Sequence, residues 1–135
     1  MKLLLAEPKW LDATVAIAIN KAAVAETGEG FHLRDRPALE AALANPQHAF
    51  HYDGTADLID LAVRYIHSVA MAHAFEQGNK RTALACGVVF LQRHACTIAL
   101  PDDPELIEQM MVGLIEHRIK PADFAKLMRP YVAMA

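Results

Sequence analysis

An all-α fold is predicted by three observations. Apolar residues recur at helical spacing through most of the chain, helix-start signals precede those runs, and only one short stretch reads as extended. At 135 residues, with 54% hydrophobic and 21% charged residues, the chain is long enough to bury a full core and too apolar to stay disordered. Residues 1–135 are therefore expected to form a single compact bundle of about six helices with short connections.

The totals also exclude several functions. A net charge of −3 and a pI near 6.1 leave no basic footprint, so direct nucleic-acid binding is not expected. Seven histidines are present, but none falls in a His-Glu-x-x-His arrangement. Cys86 and Cys96 form no Cys-x-x-Cys motif and read as reduced thiols of a cytoplasmic protein. Met1-Lys2-Leu3-Leu4-Leu5 starts like a signal peptide but breaks off at Glu7-Pro8. No apolar run approaches the ~20 residues that span a bilayer. Ser68 is the single serine, so a serine-hydrolase triad fails.

The first helix is expected to open at Pro8, with Trp10, Leu11, Thr14, Val15, Ala18, Ile19, Ala22 and Ala23 on its apolar stripe. Thr27-Gly28-Glu29-Gly30 ends it. Asp35 reads as an N-cap before Pro37, and a short helix follows from Pro37 to Ala44, closed by Asn45-Pro46. Residues 45–56 then read as a loop, either a surface loop pinned by Phe50 and Tyr52 or one whose histidines and aromatics hold a target peptide.

From Asp57 to Ala72, Leu58, Leu61, Ala62, Tyr65, Ile66, Val69 and Ala70 share one face of a core helix. His67 on it is expected to be structural or exposed. Thr82 to Arg93 is apolar nearly all round and is placed at the bundle centre, with Gly87 permitting a close crossing. Cys96 to Leu100 is the extended stretch. Asp103 caps a helix with Pro104 in its first position and Leu106, Ile107, Met110, Met111, Leu114 and Ile115 buried. Pro121 opens the last helix, and Pro130 disrupts it near its end.

Between two of these helices lies His73-Ala74-Phe75-Glu76-Gln77-Gly78-Asn79-Lys80-Arg81-Thr82. Gly78 allows a sharp turn at positive φ. The residues after it can open the next helix with their N–H groups unpaired, at the positive end of its dipole. Lys80 and Arg81 add charge, so this is an anion site. His73 is a candidate base, because its unperturbed pKa lies near neutrality. A base beside a phosphate cradle points to phosphoryl or nucleotidyl transfer.

This stretch resembles the Fic/Doc family motif, His-x-Phe-x-Asp/Glu-Gly-Asn-Gly/Lys, through His73, Phe75, Gly78, Asn79 and Lys80. Lys80 followed by Arg81-Thr82 is similar to the Doc (death-on-curing) toxin branch. Gly30 to Asp35 and Leu39 to Pro46 look like the upstream part of that branch, so the resemblance covers most of residues 8–100. One position departs from it: Gln77 stands where the family carries an acidic metal ligand, and Glu76 precedes it.

The resemblance implies that His73 deprotonates a protein hydroxyl that attacks a nucleotide phosphate. Gly78, Asn79, Lys80 and Arg81 would cradle ATP, Lys80 and Arg81 would stabilise the developing charge, and Gln77 and Asn79 would face Mg2+. Phe75 would be a buried anchor, and a flap like residues 45–56 would align the substrate segment. Lys80, with Leu84 where AMP-transferring members carry arginine, implies transfer of the γ-phosphate to a Ser/Thr hydroxyl of a translation elongation factor. An AMP transferase and a catalytically impaired binding protein remain alternatives. Ala25 stands where an inhibitory helix of some relatives needs a hydroxyl, so inhibition would come from a separate Phd-like antitoxin.

Overall fold

A computed structural model describes residues 6–134, so the signal-like start Met1–Leu5 lies outside the described residues. Six α-helices and one two-stranded sheet follow in order: α1 Ala13–Glu26, α2 Arg36–Asp53, α3 Leu58–Ala72, α4 Asn79–Gln92, β1 Cys96–Ile98, α5 Pro104–Ile115, α6 Pro121–Met128 and β2 Val132–Met134. The all-α expectation holds among these residues. Among the described residues, no helix is long and apolar enough to cross a membrane.

Local capping chemistry sets most helix starts. Asp12, Asp35, Asp57 and Asp103 each accept a hydrogen bond from a first-turn N–H, at 2.9–3.1 Å. The first helix accordingly begins at Ala13, five residues after the expected Pro8. Pro8 to Leu11 instead run irregularly across the core, with Trp10 stacked on Phe90 at 6.0 Å. The buried face of α1 is Ala13, Ala16, Asn20 and Val24, while Thr14, Ala18 and Ala22 are exposed.

The expected break at Asn45-Pro46 does not occur. Residues 45–56 are not a loop, because α2 continues through Pro46 to Asp53 and ends on Gly54 at φ 70°. Proline removes the N–H that would bond the carbonyl four residues earlier, that of Ala42. The Ser68 hydroxyl of α3 lies 2.8 Å from that carbonyl and 2.8 Å from Arg64 O, sharing its one proton between them. The acceptor orphaned by proline is therefore satisfied from the neighbouring helix.

The bundle centre is α3, not the expected 82–93 segment. It touches α2, α4, α5 and α6, whereas α4 is flanked by α3, α1 and β1. Seven of its residues are buried, among them Tyr65, whose hydroxyl accepts from Leu11 N at 2.9 Å; burial pushes the phenol up to about 12. Gly87 of α4 sits where a Cβ would lie 2.6 Å from Ile66, so the two helices cross closely, as expected.

Cys86 and Cys96 are both buried and free, and burial pushes the Cys86 thiol up to about 12. Pro130 ends α6 in a tight turn, and β2 then returns antiparallel to β1 with Thr97 opposite Ala133. Leu106, expected in the buried stripe of α5, is 39% exposed.

Candidate active site

The site is the turn between the two most extensively packed helices. α3 ends at Ala72, and His73 caps it in the left-handed conformation at φ 48°. That reversal sends Ala74 and Phe75 inward, where both are buried, and leaves the His73 imidazole exposed. Phe75 is fully buried, which fits its role as the anchor of the turn. The chain re-emerges at Glu76 and Gln77, and Gly78 turns it at φ 77° into α4.

Gly78 is required on two counts. Its φ is strained for any side chain, and an added Cβ would lie 3.2 Å from both Asn20 and Val24 of α1. Thr82 N bonds Gly78 O at 2.9 Å, which starts the α4 ladder. Among the described residues, no side chain caps this helix. The first-turn N–H groups are therefore available to an anion at the positive end of the helix dipole.

The cations on this turn differ in how they are held. Lys80 reaches Glu108 of α5 with its Nζ 2.6 Å from Oε2. Arg81 points to the end of α1, donating to Ala23 O and Thr27 Oγ1 at 3.0 Å each and to Glu29 at 2.5 Å. The Thr27 hydroxyl and then the Arg81 guanidinium hold the Glu29 carboxyl below its usual range. Arg81 thus ties α1 to α4, and Lys80 stands toward the His73 side. A cavity of about 350 Å³ there is lined by Ala70, His73, Asn79, Lys80, Val112, Ile115 and Glu116.

The Asn79 carboxamide is engaged within the turn, accepting from Phe75 N at 3.1 Å and donating to Phe75 O at 2.7 Å. Gln77 is exposed and offers a neutral amide. A magnesium ion, a hard cation, prefers carboxylate and phosphate oxygens. Among the described residues no group of three or more His, Cys, Asp or Glu side chains could hold a metal ion. These donors do not fit a magnesium ion held by the protein alone.

The extended segment lying against the motif is residues 32–35 rather than 45–56. Leu33 bridges Phe75, Arg34 N and Asp35 N bond Ala74 O at 2.8 and 3.0 Å, and Glu76 N bonds His32 O at 3.0 Å. The Arg34 guanidinium also donates to His73 O at 3.1 Å.

Sequence reasoning missed Asn20. It is fully buried on α1 and its Nδ2 donates to Gln77 O at 2.9 Å and Thr82 Oγ1 at 3.0 Å, while its Oδ1 has no partner among the described residues. The available signal was a lone amide in register with Ala16 and Val24 on the buried face of α1.

A helical domain whose central helix runs through a His-capped, glycine-turned loop into a second core helix defines a class of protein, and comparison supplies its family. Residues 10–91 match the model of the Fic/DOC family, more than half of the chain. The chain belongs to the Fic/Doc family. It is 29% identical over 113 residues to "Protein kinase doc" of Escherichia phage P1, covering 84% of this chain and 87% of that one. It is 35% identical over 85 residues to "Toxin Doc" of Mycolicibacterium smegmatis, covering 62% of this chain and 65% of that one. Both relatives support membership of the Doc branch.

Proposed function

We propose that this protein is a Doc-like toxin that transfers the γ-phosphate of ATP to a Ser/Thr hydroxyl of a translation elongation factor. The observation that carries the reading is the placement of an exposed His73 across one cavity from Lys80 and the uncapped start of α4. The kinase and toxin relatives support it.

In this reaction the substrate hydroxyl gives its proton to His73 as its oxygen bonds the γ-phosphorus. The bond from that phosphorus to the bridging oxygen breaks, and ADP leaves with the electron pair. Backbone N–H groups of Asn79 and Lys80, with the Lys80 ammonium, face the phosphates, where donors fixed in advance stabilise developing charge. Arg81, docked on α1, holds the cradle in register, and a Phd-like antitoxin is the proposed inhibitor. A catalytically impaired Fic-fold binding protein is the second reading, motivated by the neutral Gln77 and the engaged Asn79 amide.

ATP labelled separately at the α and γ phosphates separates the readings. Label reaching protein from γ is the expected result. Label from α means AMP transfer, and no label from either supports the binding protein. His73→Asn is the matched control, because asparagine tolerates the left-handed backbone that alanine does not. It should abolish transfer with little change in the unfolding midpoint, and full activity in that variant would remove His73 from the chemistry.

A further inference from the structure

We propose that Glu108 is an internal anion that occupies Lys80 in the empty site, and that an incoming phosphate must displace it. The proposal rests on the reading of this turn as a phosphate site, and adds to it a residue on a different helix that sets how tightly phosphate is held.

The geometry separates the two cations. Arg81 makes three bonds to the end of α1, so releasing it breaks three contacts at the α1–α4 junction. Lys80 has one polar partner among the described residues, Glu108 at 2.6 Å. The side chains of Lys80 and Glu108 are 43% and 56% exposed, so the pair can exchange its partner without opening the core. An ammonium with three rotatable donors on a flexible stem suits such an exchange, which a guanidinium fork in fixed contacts does not.

Glu108 is placed to compete for the same ligand. Lys80 lines two cavities, and Glu108 lines the second of them. The first, of about 350 Å³, holds His73, Asn79, Val112 and Ile115. The second, of about 340 Å³, is lined by Arg81, Leu84, Ile107, Met111 and Glu108, with Asp102 and Asp103 as further carboxylates. A polyphosphate lying along the start of α4 would meet the Lys80–Glu108 pair. It would gain Lys80 only by displacing the carboxylate, and would then face that carboxylate as a like charge. Glu108 therefore lowers affinity twice, by occupying the cation and by repelling the ligand.

The test is calorimetric binding of inorganic tripolyphosphate to the full chain, the Glu108→Gln variant and a Glu105→Gln control one turn earlier on α5. Glu108→Gln is expected to bind about three- to tenfold more tightly than the parent, the range for removing a half-exposed charge pair and its repulsion. Glu105→Gln should match the parent. Equal or weaker binding by Glu108→Gln overturns the proposal, as does equal tightening in the control, which would reflect net charge alone. If no form binds tripolyphosphate, both the gate and the phosphate cradle fall. If Glu108→Gln binds more tightly while γ-label never reaches protein, the gate stands and the kinase reading fails.

Discussion

The carboxamide of Asn79 clasps the backbone of Phe75 on both sides, its Oδ1 3.1 Å from Phe75 N and its Nδ2 2.7 Å from Phe75 O. One side chain thus bonds both backbone groups of one residue, on a turn whose neighbouring backbone groups are paired with residues 32–35. The loop that presents His73 is closed by the first residue of the helix it feeds.

Replacing Asn79 by alanine removes both bonds and leaves a part-buried N–H and C=O without partners. The expected cost is about 1–3 kcal/mol in chemical denaturation. Amide exchange at Phe75 should speed up well beyond that of the α3 core. Unchanged exchange at Phe75 would show that the clasp does not hold the loop.

Gly87→Ala should destabilise the protein, although alanine is the better helix former. The added Cβ would meet Ile66 at 2.6 Å and the Ala62 carbonyl at 3.1 Å, and Ile66 is fully buried with little room to give. Overpacking of this kind costs about 1–3 kcal/mol, more than the ~1 kcal/mol gained in propensity. A higher melting temperature in the variant would contradict the close α3–α4 crossing.

Gln77→Glu tests the departure from the family pattern. The side chain is exposed, and the backbone carbonyl, not the amide, is what Asn20 holds. Stability should therefore change by no more than about 0.5 kcal/mol. A carboxylate is a stronger magnesium ligand than a neutral amide. The magnesium concentration for half-maximal ATP-dependent transfer should fall in the variant. Identical titrations for the two forms would show that position 77 does not contact the ion.

His67 gives the fold a defined acid sensitivity. Burial, then the neighbouring His117 and Arg64, lower its pKa from 6.5, so the folded state favours the neutral ring. Below about pH 6.5 the unfolded chain takes up this proton first, and stability falls as pH falls through that window toward the folded pKa. His67→Gln should flatten the decline of melting temperature between pH 7 and 5. An unchanged slope would assign the decline to other groups.

What the chain alone determined is what depends on residues a few positions apart. The Asp35 and Asp103 caps are legible because the capping oxygen and the N–H it accepts are three residues apart. The order His73, Phe75, Gly78, Asn79 and Lys80 is legible because it lies in one short stretch and matches the family motif there.

The rest waited on partners distant in sequence. Pro46 reads as a helix stop until Ser68 is found beside the orphaned Ala42 carbonyl. Pro8 reads as a helix start until Asp12 is seen to hold the cap. Asn20 is one amide among alanines until the Gln77 carbonyl arrives from 57 residues away. Lys80 and Arg81 are adjacent and alike in charge, yet one meets Glu108 and the other the end of α1. Neighbours on a helix point about 100° apart, and only packing decides which carboxylate each direction reaches.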